Sequence, residues 1–226
     1  MKTPRLVIFD VDGTLVDSQG DILAAMGLAF ERVGRPVPSR EEVLSIVGLS
    51  LPQAMAELAP DLSAEVQAAM VTHYKEAYAT LRREGGVAAT SPLFPGARAC
   101  LETLHEEPET LLAIATGKSR RGLDVLLDGH DLRGFFVSTQ VADSHPSKPH
   151  PAMIEACLSE TGLEPGQAVI VGDTSFDMEM GAAAGVARLG VAWGYHPAER
   201  LVQAEAIAPD FAAVPALIDR LLGVPA

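Results

Sequence analysis

A chain of 226 residues, 48% hydrophobic and 21% charged, has the makeup of a globular protein with room for one large domain or a core plus a smaller second one, and not that of a disordered segment. Its 17 basic residues face 30 acidic ones, a formal net charge of −13, which argues against nucleic acid and anionic membrane as partners because both need basic surface. No apolar run approaches the length of a membrane span, and residues 1–5 lead toward the first strand without the apolar stretch of a secretory leader, so a cytoplasmic location is expected.

Leu6, Val7, Ile8 and Phe9 form a short apolar run that reads as a strand buried on both faces. It delivers Asp10 and Asp12 to its carboxyl end, followed at once by Gly13 and Thr14. Two buried carboxylates repel one another and lack water, so they need a partner, and a divalent metal is the simplest one. Gly13 allows a turn that a Cβ would hinder. Over 21–33, Ile22, Leu23, Met26, Phe30 and Val33 line one helical face, which Gly34 and Pro36 end. A shorter helix follows over 39–47, with Ser39 and Glu42 spaced as a capping box. After a break at 48–52 come a short helix over 53–58 and a long one over 63–84. Ser63 caps the long one, and Val66, Met70, Tyr74, Ala77 and Leu81 line it.

No convincing strand interrupts residues 18–84. A loop rich in Gly and Pro spans 85–96, and then the pattern alternates. Strands are predicted over 111–115, 135–137, 168–171 and 186–191, and helices over 118–127, 152–161, 175–184 and about 215–222. Strands separated by helices imply right-handed crossovers and a parallel sheet with helices on both faces. The expected organisation is a core from 1–17 and 85–226, with 18–84 an all-helical insertion after the first strand. Cys100 and Cys157 fall in apolar helical patterns without a C-x-x-C partner, as buried reduced thiols do.

Open parallel sheets bind ligands at the carboxyl ends of their strands. The first strand brings Asp10 and Asp12 there. The strand over 111–115 brings Thr116, Gly117 and Lys118, and the strand over 168–171 brings Gly172, Asp173, Thr174 and Asp177. Lys148 arrives in a loop between turn-forming residues, Ser147-Lys-Pro-His-Pro151. Acids, a hydroxyl and a lysine from four remote segments thus share one edge. Asp10 is the candidate nucleophile toward phosphorus, and Asp12 the candidate acid and base. Mg²⁺ suits the carboxylates, with Asp10, Asp173 and the backbone carbonyl of Asp12 as ligands and Asp177 acting directly or through an intermediary. Thr116 and the N–H groups after it would hold a phosphoryl oxygen, and Lys148 would pair with Asp10 and the phosphate. Lys118 fits the site or a solvated helix face equally well, and His73 and His150 read as structural.

Asp10-Val-Asp-Gly-Thr-Leu15 after an apolar strand resembles the first motif of the haloacid dehalogenase-like superfamily of phosphatases. Thr116, Lys148 in its Ser-Lys-Pro-His-Pro setting, and the G-D-x-x-x-D spacing of Asp173 and Asp177 match its later motifs. The resemblance implies a Rossmann-like core, a helical cap over 18–84, and a Mg²⁺-dependent phosphatase working through an aspartyl phosphate on a small phosphorylated metabolite. Ala115-Thr-Gly-Lys-Ser-Arg-Arg-Gly122 and Pro146-Ser-Lys-Pro-His-Pro151 look like phosphoglycolate phosphatase-type members. The loop 48–51 is the expected place for leaving-group selection, or simply a helix end. A phosphosugar mutase of the β-phosphoglucomutase type shares these motifs. A phospho-acceptor receiver domain shares the Asp, Thr and Lys, but it lacks the long insertion and the Asp12-Gly-Thr turn. A silent binding protein would leave every motif without a role, and dehalogenase chemistry would need neither metal nor Asp12.

Overall fold

A computed structural model describes residues 3–223. In chain order, β1 (Arg5–Phe9) is followed by four helices, α1 (Gln19–Arg32), α2 (Arg40–Ser45), α3 (Leu51–Leu58) and α4 (Ala64–Gly85), and then by the single turn α5 (Val87–Thr90). The alternating part runs α6 (Ala97–His105), β2 (Thr110–Thr116), α7 (Arg120–Gly129), β3 (Ser138–Val141), α8 (Ala152–Thr161), β4 (Ala168–Gly172), α9 (Ser175–Ala184) and β5 (Ala187–Val191). It closes with β6 (Ala206–Ala208) and α10 (Val214–Leu221). All six strands pair in parallel, in the order β3-β2-β1-β4-β5-β6. The strand order turns back at β1, so the crevice at its carboxyl end is where such a sheet receives a ligand.

Side chains alternate along each strand, and the two sets meet different helices. Val7, Phe9, Leu112, Ile114, Val169 and Val171 pack against α6, α7 and α10 through Leu101, Leu104, Leu123, Leu126 and Ile218. Leu6, Ile8, Ala113, Ala168 and Ile170 pack against α8 and α9 through Met153, Ile154, Cys157 and Met180. Helices therefore cover both faces, which is why the central strands carry no polar alternation. At the amino-terminal end of β1 the buried Arg5 guanidinium is clamped by three groups. Thr110 Oγ1 accepts from Nε at 2.8 Å, Glu107 pairs with Nη2 at 2.6 Å, and Asp219 of α10 pairs with Nη1.

The helices α1 to α4 form a layer of their own. Met26, Phe30, Leu44, Met55, Met70 and Tyr74 make an apolar cluster separate from the two sheet clusters. Ser39 and Glu42 form the expected capping box, and Ser63 accepts from the Val66 N–H. Among the described residues no helix is long and apolar enough to cross a membrane.

The structure differs from the sequence reading in three respects. The strand expected over 135–137 lies at Ser138–Val141. Residues Arg133–Phe135 form a 3₁₀ turn whose Phe135 and Phe136 pack on the core while Val137 is exposed. Apolar content there marks a packed turn, and the strand itself is the polar-looking Ser-Thr-Gln-Val. α5, α6 and β6 were given no range in the sequence, although Cys100 of α6 was read as lying in an apolar helical pattern. The third difference is that α7 starts at Arg120, not Lys118, because Ser119 caps it by accepting from the Gly122 N–H. That two-residue difference leaves Lys118 in the loop, facing inward.

Candidate active site

Three carboxylates meet at the sheet's carboxyl edge. One oxygen from each of Asp10, Asp173 and Asp177 lies within 4.8 Å of the others, and all three residues are buried. Asp10 is held at the end of β1, where its N–H donates to Val171 O at 3.0 Å. Asp173 follows β4 and is oriented twice: Thr14 Oγ1 donates to its Oδ1 and the Tyr195 N–H to its Oδ2, each at 2.8 Å. Asp177 sits in the first turn of α9, where Thr174 N–H and Oγ1 donate to its Oδ2 at 3.1 and 2.6 Å in a capping box. Its Oδ1 takes Lys148 Nζ at 2.6 Å, and the same ammonium lies 3.0 Å from Asp10 Oδ1.

Apart from the Lys148 ammonium beside Oδ1, no group among the described residues donates to the Asp10 carboxylate. A buried carboxylate without donors is unstable as an anion unless a cation sits beside it. Burial pushes Asp10 up to about 7, Lys148 opposes that, and Asp177 adds to it. Asp173 is also raised well above the carboxylate range, by burial first and then by Asp177 and Asp10. One lysine among three buried acids leaves a charge deficit, so the donor set fits a hard divalent cation. Asp10 has the open coordination, while both oxygens of Asp173 and of Asp177 already have protein partners, and those of Asp177 include the Lys148 ammonium.

Asp12 points elsewhere. Lys118 Nζ lies 2.8 Å from its Oδ1 and Ser18 Oγ donates to the same atom at 2.5 Å. Burial raises its proton affinity, but Lys118, Ser18 and Arg82 together outweigh burial and the carboxyl sits below its ordinary range. Of the sequence-predicted metal ligands, Asp12 thus contributes no carboxylate to the cluster. Thr116 is buried at the end of β2 and its Oγ1 accepts from the Lys118 N–H at 3.2 Å. That places Asp10, Asp12, Thr116, Lys148, Asp173 and Asp177 around one crevice. Lys118 joins them, in place of the solvated face that was equally compatible with the sequence.

The sequence profile of the haloacid dehalogenase-like hydrolases matches residues 7–191. The chain belongs to the haloacid dehalogenase-like hydrolase family. It is an enzyme of the phosphatase kind. The protein named Probable phosphatase IndB of Dickeya dadantii is 35% identical over 203 residues, 88% of this chain and 86% of that one. A phosphoglycolate phosphatase of Vibrio parahaemolyticus is 29% identical over 92% of this chain and 91% of its own. Among solved structures, a haloacid dehalogenase-like family hydrolase from Streptococcus pneumoniae superposes with a TM-score of 0.81 at 28% identity, covering 96% of this chain and 99% of that one.

In this hydrolase the helical layer is seated on the site. The loop after α2 packs so closely that a Cβ at Gly117 would lie 2.5 Å from Gly48 O and 2.8 Å from Leu49 O. Ser50 N–H donates to Ser147 Oγ at 2.8 Å, beside Lys148. His196 bridges the two layers: its Nδ1 accepts from the Ser175 N–H at 3.1 Å, so its Nε2 carries the proton and donates to Ser45 O at 3.0 Å. Between the layers lies a cavity of about 530 Å³, floored by Asp10, Asp12 and Thr116 and roofed by α1, α3 and α4. From the roof, Tyr78 Oη accepts from Lys118 at 3.3 Å. The buried Arg82 lies 4.7 Å from the Tyr78 ring centroid and donates to Gly122 O and Ser91 Oγ, each at 3.1 Å.

Sequence reasoning assigned no site role to Thr14, Ser18, Tyr78, Arg82 or Tyr195. Thr14 stood inside the D-x-D-G-T motif and could have been found there. Tyr195 belongs to no motif, and its backbone reaches Asp173 only because the chain turns back after β5.

Proposed function

We propose that this enzyme is a Mg²⁺-dependent phosphatase of a small phosphorylated metabolite, acting through an aspartyl phosphate on Asp10, with the helical segment 18–84 as its cap. The observation that carries the reading is the Asp10 carboxylate at the floor of a cavity, held by Lys148 alone among the described residues and ringed by Asp173 and Asp177. The family and the phosphatase names of its relatives support it.

Asp10 attacks phosphorus, Thr116 and the N–H groups after it hold the phosphoryl oxygens, and Lys148 offsets the charge that builds in the transition state. Asp173 and Asp10 would hold the metal, with Asp177 fixing Lys148. When bound, Mg²⁺ neutralises charge between the nucleophile and the phosphate dianion. Asp12 donates a proton to the leaving alcohol and later takes one from water. Lys118 keeps Asp12 ionised in the free site. An arriving dianion raises its proton affinity, so Asp12 takes up a proton from solvent as the ester binds and has one to donate. A cap seated over the crevice keeps other nucleophiles from the acyl phosphate. Such chemistry suits a cytoplasmic enzyme, where Cys100 and Cys157, both buried and unpaired, stay reduced.

The test is a panel of phosphate esters with and without Mg²⁺. Turnover should require the metal, stop on chelation, and fall at least about 10³-fold in Asp10→Asn. Activity of the variant near that of the wild type removes Asp10 as nucleophile.

A further inference from the structure

The cavity's shape and lining bear on which alcohol the substrate carries. Given the phosphatase reading above, on which this inference rests, we propose that the alcohol portion is a bulky, largely apolar group of ring size, and neither a two-carbon acid nor a polyhydroxyl chain. Three observations carry it.

The first is volume. The cap loop is already against Gly117, so the 530 Å³ is space left with the helical layer seated. A two-carbon phosphate acid has about nine non-hydrogen atoms. Even at the ~30 Å³ that one water claims in the liquid, it would fill only about half of the space.

The second is chemistry. The walls above the phosphate end are Met26, Val47, Leu49, Leu51, Tyr74 and Tyr78. Hydroxyls of a sugar chain placed there would lose water and find few partners, whereas a ring would exchange water for apolar contact.

The third is how the cations are disposed. A short acid would bring its carboxylate close to the phosphate, where it needs a free buried donor. The two buried cations of the wall are already spent. Lys118 pairs with Asp12, and Arg82 donates to Gly122 O and Ser91 Oγ, lies over the Tyr78 face and has its remaining Nε 3.8 Å from Asp21 Oδ2. Lys75, Arg83 and Arg121 also line the cavity, but they are exposed at its mouth.

The experiment compares kcat/KM of the full chain with Mg²⁺ for 2-phenylethyl phosphate, 2-phosphoglycolate and a hexitol 6-phosphate. The ring ester should exceed both others by at least about tenfold, the scale on which an apolar pocket discriminates by a few methylenes. Met26→Gln keeps the length of the side chain and makes it polar, and it should erode that advantage mainly through KM. Met26→Leu should retain the advantage. Binding of a phenylalkyl phosphonate to the wild type, measured by calorimetry at several temperatures, should show a negative heat-capacity change.

If 2-phosphoglycolate or the hexitol ester is turned over as well as the ring ester, with Asp10 still required, the inference is overturned while the phosphatase stands. A heat-capacity change near zero overturns it as well. If no ester is hydrolysed in a Mg²⁺-dependent way, both fall.

Discussion

Lys118 shows how much one capping residue decides. Apolar periodicity alone continues the helix back to 118, where the lysine would face water. Ser119 caps the helix instead, and Lys118 turns inward onto Asp12 at 2.8 Å. Lys118→Met should therefore lower kcat/KM about a hundredfold without abolishing the metal requirement, because it removes a preorganised charge beside the acid and leaves the carboxylate cluster intact. Steady-state kinetics over a Mg²⁺ titration would check both parts. His196 carries a second expectation at this scale. Burial and then Arg200 lower its pKa from 6.5, so it stands neutral between Ser175 and Ser45. A folded-state value below the unfolded one means that stability is present above about pH 6.5 and is lost as pH falls. The drop in Tm between pH 7.5 and pH 5.5 should be smaller in His196→Gln than in the wild type. The motifs made Asp10, Thr116, Lys148, Asp173 and Asp177 legible. They could not show that Lys118 turns inward to hold the Asp12 carboxylate, since that depends on where a helix begins.

α1, α4, α8 and α9 were readable within a residue or two from their apolar spacing, and α4 and α9 also begin at side-chain caps, Ser63 and Thr174. β3 was not, because an edge strand of Ser-Thr-Gln-Val carries little apolar signal beside Phe135 and Phe136. α6 was readable in principle: Ala97, Cys100, Leu101 and Leu104 repeat at helical spacing and are buried. β6, at three residues, is too short for any pattern to register. The register between layers was likewise beyond sequence, and it makes the sharper prediction. Gly117→Ala adds a methyl where Gly48 O and Leu49 O already lie, so the loop after α2 must lift. kcat/KM should fall at least tenfold with Tm little changed, since the clash is between layers and not inside the core. Met70 makes the opposite case. It is fully buried in the helical layer, and Met70→Ala should cost about 2–5 kcal/mol in urea unfolding.

For the whole molecule the charge balance is uneven. The chain carries −13, yet the cavity lining holds Lys75, Arg82, Arg83, Lys118 and Arg121 against Asp10, Asp12 and Asp143. The crevice reverses the global field where an anionic ester must enter. Raising salt should therefore raise KM, and Arg121→Glu, at the mouth, should raise it further at low salt than at high salt. The opposite end of the sheet has a different lesson. Arg5 sits buried at the foot of β1, answered by Glu107 and by Asp219 of α10. The last helix is thus a keystone under the first strand. Trimming the protein before Asp219 would not yield a shorter catalyst, because it would leave the guanidinium in the foundation on which Asp10 stands with one carboxylate in place of two.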